Sequence, residues 1–413
     1  MAIKNKLFYG YWLVLVGFIT TTLNWGVGFY GFSVLNTAIG DEFGWSRSTV
    51  MAAFTIFVMA GAVISPLVGR LADRRGPRQV LFLGLITMSL ALVLLSKISS
   101  VWNYYLLYLL LGVGSVLMGI IPLSMLISNW FYRLRGTMQG LAFAGIGFGG
   151  LALSPVVGNY LIPNIGWRNT YLAMALLVLA IMLLLILFVV RNHPHQRGLQ
   201  PYGKEKAEAS SVGTIEINAE TGLSFKEALG TPTFWVVGVT SSLYGLSSTA
   251  GLQNQVSVLT GQGFTATSAV NAIGVIGLFS AVGKFLFGFL CDRIDPKYSA
   301  AIMYGLMTCS LIIMVEARSM TQLWLYAVLQ GLAQGGWAPT LAMLTLRYFG
   351  TKHYGTVLGT VHLIFFIGTS IGPMIAGFVY DQIGSYRPVL LALAAVNLIS
   401  IPFISFIRKP RNL

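Results

Sequence analysis

The sequence predicts an all-α membrane protein in which twelve transmembrane helices form two pseudo-symmetric six-helix bundles. Three observations carry that reading. Of 413 residues only 9% are charged and 56% are hydrophobic, and the mean hydropathy is +0.76. Soluble domains carry about 25% charged residues because water must be offered a polar surface, so this chain turns an apolar exterior to lipid. The second observation is a series of apolar runs, each of the roughly 20 residues that cross a bilayer. The third is an internal repeat at an offset of 219 residues.

In order, the runs cover 9–38, 49–70, 79–96, 101–127, 137–162, 168–190, 232–260, 267–290, 298–316, 321–346, 356–380 and 387–407. The first follows Lys4 and Lys6 as a secretory signal would. It is too long for one, lacks a small-residue cleavage site and is followed by further spans. Basic residues concentrate in alternate loops, which sets orientation by the positive-inside pattern. With both termini cytoplasmic, Arg47, Lys97, Arg168, Arg318 and Arg387 lie outside, Lys284 lies within a span, and every other Lys and Arg lies inside. The net charge of +14 therefore marks membrane topology and not a nucleic-acid partner. The expected location is the cell inner (plasma) membrane, multi-pass.

Residues 1–190 are expected to form the N-terminal bundle, 191–231 a cytoplasmic linker and 232–413 the C-terminal bundle. The linker carries Arg191, Arg197, Lys204, Lys206 and several glutamates. At its end, Ser224 and Glu227 have capping-box spacing, which predicts a short surface helix before Thr231-Pro232. Cys291 and Cys309 lack metal-ligand spacing, so no metal or cofactor is expected.

The repeat relates Gly69-Arg-Leu-Ala-Asp73-Arg74 to Gly288-Phe-Leu-Cys-Asp292-Arg293. The same offset relates Gly112 to Gly331, Gly136 to Gly355, Gly140 to Gly359, Gly158 to Gly377 and Arg168 to Arg387. The second half is a same-orientation copy of the first, related by an axis along the membrane normal. Architectures of that kind bind substrate near the midplane, between halves that rock against one another.

The loop Gly69-Arg-Leu-Ala-Asp-Arg-Arg-Gly76-Pro-Arg78 resembles the loop signature of the major facilitator superfamily. Asn129-Trp130-Phe131, Arg135-Gly136 and Gly140, with Leu229-Gly-Thr-Pro-Thr-Phe-Trp235, are similar to the monocarboxylate and oxalate transporter group. The resemblance implies a monomeric secondary carrier of small organic anions. Monocarboxylates or short dicarboxylates would move by alternating access, through proton symport or anion exchange. Asp73, Arg74, Asp292 and Arg293 become gating candidates. A carboxylate beside a helix end can bond orphan N–H groups and nearby arginines, and so hold the cytoplasmic sides of the halves together.

Every acidic residue falls in a loop, the linker or a helix end. A cation substrate, or an Asp/Glu proton relay, would want a buried carboxylate instead. Lys284 is the intramembrane charge, and it is either a snorkelling lysine or the anchor of an anionic substrate. In the resembling group an arginine four residues before this glycine binds the substrate carboxylate. Lysine is a point charge without the bidentate fork, and Ser280 stands where many eukaryotic members place an aspartate. His362 lies close to a second basic position of oxalate-type carriers and could carry a proton. Further substrate-binding candidates are Asn24, Tyr30, Tyr244, Gln253, Asn254, Gln330, Gln334 and Trp337, with interhelical hydrogen bonding or an interfacial belt as the plain alternatives.

No nucleophile–base set, metal cluster or phosphate loop appears, so an enzyme is not expected. Gly145-Ile-Gly147-Phe-Gly149-Gly150 has nucleotide-loop spacing but lies inside span five, where close helix packing explains it. Gly368, Gly372 and Pro373 imitate a drug-antiporter signature on the wrong span. The competing functions are a carrier of neutral solutes or drugs, with Lys284 structural, and a non-transporting membrane sensor.

Overall fold

The computed structural model describes residues 8–45, 47–203 and 222–409. Lys4, Lys6, Lys204, Lys206, the linker glutamates Glu205, Glu208, Glu216 and Glu220, and the tail residue Arg411 lie outside the described residues. Lipid offers backbone N–H and C=O groups no partners, so each apolar run satisfies its own as a helix. The first six are α1 (10–43), α2 (Arg47–Arg75), α3 (Pro77–Leu95), α4 (101–130), α5 (135–165) and α6 (167–189). The second six are α7 (Pro232–Gly261), α8 (Ala266–Cys291), α9 (Pro296–Glu316), α10 (Met320–Phe349), α11 (Tyr354–Ile383) and α12 (Arg387–Ser405). Gly166, at φ +73°, turns the chain between α5 and α6, a conformation only glycine adopts without strain.

By length and composition ten of these helices are apolar enough to cross a bilayer. The other two, α7 and α10, are each 30 residues long but more polar. Their Ser247, Ser248, Gln255, Gln330, Thr340 and Thr345 are all buried in protein, so lipid never meets them. One core draws on α1–α6 from Leu13 to Val190 together with Ala338 of α10, and a second on residues from Leu223 to Ile407 together with Ile121 of α4. Contact between the halves runs mainly through α2 with α11 and α5 with α8.

The glycines of α5 serve packing. A methyl group at Gly145 would overlap the Phe18 carbonyl of α1, and one at Gly149 would overlap Thr22. The repeat partner of Gly149 is Gly368, which lies equally close to the Ser242 backbone of α7. Each half thus fits its fifth helix against its first by the same device.

The linker docks at both ends on repeat-equivalent positions. Tyr202 pairs with Phe131 in the α4–α5 loop, and Gly222 pairs with Gly350 in the α10–α11 loop. Near its end Ser224 accepts from the Glu227 N–H at 3.3 Å while Ser224 N–H donates to Glu227 Oε2 at 2.6 Å, capping the short helix Phe225–Leu229. The Glu227 carboxyl is held below the usual carboxylate range, chiefly by its Ser224 backbone hydrogen bond.

Candidate transport site

The basic loops gather at one end of the molecule, and there the halves close on one another. Asp73, in the last turn of α2, faces the start of α11. Its Oδ1 accepts from Gly355 N–H at 2.8 Å, and its Oδ2 accepts from Thr356 N–H at 2.8 Å and the Thr356 hydroxyl at 2.6 Å. Asp292, just past α8, faces the start of α5 in the same way. It accepts from Gly136 N–H at 2.7 Å, Thr137 N–H at 2.7 Å and the Thr137 hydroxyl at 2.6 Å. The first N–H groups of a helix have no partner within it, and the positive end of the helix dipole favours an anion. Burial pushes the Asp292 carboxyl up, opposed by these hydrogen bonds and by Arg135.

Glycines let the backbones meet beneath these carboxylates. Methyl groups at Gly69, Gly355, Gly136 or Gly288 would each overlap backbone of the opposite half. One turn deeper, Gly140 lies on the Lys284 carbonyl and Gly359 on the Ser65 carbonyl.

Arg74 and Arg293 are exposed and do not reach the carboxylates, and Arg293 lies over the Phe289 ring instead. Backbone N–H groups and two threonines, and neither Arg74 nor Arg293, meet the two carboxylates here. Arg135, buried, donates from Nε to the Phe131 carbonyl and steadies the loop that receives Asp292.

Lys284 is 2% exposed. Its ammonium donates to the Ser280 hydroxyl at 2.7 Å and the Ser280 carbonyl at 3.4 Å, one turn nearer the start of α8. A snorkelling lysine would reach toward the basic end, and this one points away from it. Among the described residues no carboxylate pairs with it. His362 is 3% exposed, and its Nε2 has no hydrogen-bond partner among the described residues. Gly140–Lys284 and Gly359–Ser65 are repeat-equivalent contacts at one depth. From that depth the Lys284 ammonium reaches one turn away from the basic end along α8, and His362 lies one turn the same way along α11.

Helix α10 passes between them. Gly335 lies against Ser280 and Gly283, and Gly336 against the Phe287 ring. Next in sequence, half-buried Trp337 stacks on Phe365 at 4.6 Å and meets the edge of His362 at 5.6 Å. Behind Trp337 lies a cavity of ≈ 10 Å³, about one water, lined by Ser241, Tyr244, Tyr304 and Phe365 among others. Tyr244 is buried there, stacked on Tyr304 at 5.5 Å.

The remaining candidates divide. Gln330 accepts from Ser310 at 2.7 Å and donates to the Ser248 carbonyl at 3.4 Å, so both amide ends are spent on packing. Asn24 donates to the Ser115 carbonyl at 2.9 Å. That carbonyl is freed because α4 breaks between Leu117 and Ile120, where Gly119 N–H turns back to Val116. The Gln330 and Asn24 side chains thus both make hydrogen bonds between helices, and the Asn24 Oδ1 is buried with no partner among the described residues. Asn254 bonds its own helix at Ala250, Gln253 is exposed, and Gln334 is half-buried. Tyr30 is half-buried with its ring over Gly150. The structure thus gathers His362, Trp337 and Tyr244 around α10, with Lys284 on the neighbouring α8. Sequence reasoning missed Thr137, Thr356 and Arg135, although a threonine after each repeated Gly136/Gly355 was a visible signal.

Comparison with known proteins agrees with this architecture. The sequence profile of the Major Facilitator Superfamily matches residues 13–326 and, in a second match, 256–413. An oxalate:formate antiporter of Oxalobacter formigenes is 26% identical over 67% of this chain and 62% of its own. Monocarboxylate transporter 13 of Rattus norvegicus is 24% identical over 92% of this chain and 84% of its own. A multidrug resistance protein, MdtG, of Dickeya zeae is 28% identical over 84% of this chain and 81% of its own. Among solved structures, the transporter FucP in its outward conformation superposes with a TM-score of 0.73 at 14% identity, covering 95% of this chain and 97% of that one. Two bundles related by a 219-residue repeat, closed by paired Asp-to-helix contacts and matched end to end by that profile, identify the chain as a membrane transporter of the Major Facilitator Superfamily.

Proposed function

We propose that this transporter is a secondary carrier of small organic anions, a monocarboxylate or short dicarboxylate, working by alternating access. One observation carries the proposal: Lys284 is a buried ammonium that has only Ser280 for company and no carboxylate among the described residues. A charge held within the membrane is costly and wants a counter-charge. A substrate carboxylate would supply it, and the unpartnered His362 Nε2 would meet a second polar atom or a co-transported proton. Similarity to an oxalate:formate antiporter and to a monocarboxylate transporter supports the same class.

The basic end is taken as cytoplasmic, in the cell inner membrane, so the closed seam at Asp73 and Asp292 is the inner gate. In this reading residues 1–190 and 232–413 are the rocking units, and 191–231 joins them. Proton symport and anion exchange both fit the site.

Thermal shift of the purified protein tests the class directly, because a ligand bound to the folded state raises apparent stability. Oxalate, formate, lactate and pyruvate are set against neutral sugars and a panel of hydrophobic drugs. Stabilisation by a carboxylate supports the proposal. The similarity to MdtG gives the competing reading, a drug carrier with Lys284 structural. Stabilisation by drugs alone would establish that reading in its place.

A further inference from the structure

A groove lies on the rim of the first half, apart from Lys284 and His362. At the basic end α3 and α6 part to leave a groove of ≈ 620 Å³. Arg78, Gln79, Asn192 and Gln196 form its polar wall, and Phe82, Ile186 and Leu187 its apolar floor. We propose that an anionic phospholipid occupies it, with the headgroup phosphate on Arg78 and an acyl chain along Phe82 and Leu187.

The charge arrangement asks for an anion. The last carbonyls of α6 have no helical partner, and two arginines converge on them. Arg78 donates from Nε to the Ile186 carbonyl at 3.0 Å and from a terminal nitrogen to the Leu187 carbonyl at 2.9 Å. Arg191 donates to that same Leu187 carbonyl at 3.1 Å and to Val190 at 3.0 Å. Two guanidiniums thus share one carbonyl oxygen, and among the described residues no carboxylate lines the groove. Carbonyl dipoles do not cancel two like charges held this close. Arg78 keeps further N–H donors in the planar fork that suits phosphate.

The apolar side says what the phosphate belongs to. Phe82 is 40%, Leu187 43% and Phe188 66% exposed, on a surface that faces lipid. The groove runs from the basic rim, at headgroup level, onto that surface. Free phosphate or a soluble nucleotide would leave the apolar floor unused. The site also touches the gate. Arg78 N–H donates to Asn192 Oδ1 at 2.9 Å, and the Asn192 amide fills the space beside Gly76, three residues past Asp73.

The test is native mass spectrometry of the full-length protein released from vesicles of equal phosphatidylcholine and phosphatidylglycerol. The wild type is expected to retain phosphatidylglycerol over phosphatidylcholine by about tenfold or more, given the attraction each arginine adds near an anionic headgroup. Gln79→Glu, at an exposed position that bonds nothing else, is expected to abolish that preference without lowering the thermal midpoint. Phe82→Ala is expected to weaken retention while the preference for the anionic lipid remains. Absence of a preference in the wild type would overturn the proposal. So would a preference that survives both Gln79→Glu and Arg78→Gln, and so would displacement of the lipid by inorganic phosphate alone.

Discussion

Asp73 and Asp292 stand 219 residues apart, and each carboxylate holds the first turn of a helix in the opposite half through one glycine N–H, one threonine N–H and one threonine hydroxyl. The repeat is therefore more than an echo in the sequence, because each copy supplies the receptor for the other copy's acid. Closure of the basic end is two-fold symmetric, and among the described residues no side-chain cation bonds either carboxylate. If each set of bonds holds the seam, removing one acid weakens closure and removing both opens it.

Asp73→Asn and Asp292→Asn each turn one acceptor oxygen into a donor facing a donor. Hydrogen bonds to a charged group contribute about 1.5–3 kcal/mol, so each substitution is expected to shift the closed-to-open ratio by roughly ten- to a hundredfold. Spin labels at exposed Arg74 and Lys352, on opposite sides of the α2–α11 seam, read this as a second, longer distance population. An unchanged distance distribution in the double variant would refute the gate.

Gly359→Leu tests the seam by bulk. A methyl there already overlaps the Ser65 carbonyl, which is backbone and cannot swing aside. Overpacking costs about 1–3 kcal/mol in a tight contact, and here only the closed state bears the cost. The same label pair should show opening with both carboxylates intact. Gly377→Leu, where an added Cβ meets nothing within 4 Å, is the matched control and should leave the distances unchanged.

Gln330→Leu separates packing from binding. The substitution removes the Gln330 bonds to Ser310 and Ser248 and leaves the Ser310 hydroxyl its Met307 carbonyl, and a lost buried hydrogen bond costs about 0.5–1.5 kcal/mol. The thermal midpoint should fall while KM for the transported anion stays put. A raised KM at unchanged stability would return Gln330 to the substrate site.

Ser280→Ala asks how the Lys284 ammonium is held. The hydroxyl at 2.7 Å is its strongest partner, and loss of a neutral hydrogen bond to a charge is expected to raise KM about tenfold. The maximal uptake rate should change little, since the charge remains. Equal losses in the Ser280→Ala and Lys284→Ala variants would instead make the serine a direct substrate ligand.

Much of the fold was legible because bilayer thickness and helix satisfaction act locally, run by run. The helix ends moved by a few residues, and α1 continues to Phe43 instead of stopping at 38. The repeat also pointed to both gate acids. It could not show their partners, because Thr137 and Thr356 lie in the opposite half from the acid each one binds, and no local pattern encodes a contact between distant segments. The same limit governed the polar candidates. Gln330 and Gln334 share a helix face in sequence, yet one is spent on Ser310 and Ser248 while the other is half-buried. Asn24 caps a carbonyl freed by the break in α4, a break that the apolar run 101–127 marks only by Gly119 and Pro122. Lys284 alone was singled out by its cost, since a charge in a lipid-facing run has few benign explanations.

Uptake into proteoliposomes by Lys284 variants is the most direct test of that residue's role. With the carboxylate that gives the largest thermal shift as substrate, Lys284→Ala should abolish saturable uptake, and Lys284→Arg, which keeps the charge, should retain it. Saturable uptake by the alanine variant at the wild-type rate and KM would contradict the account at its centre.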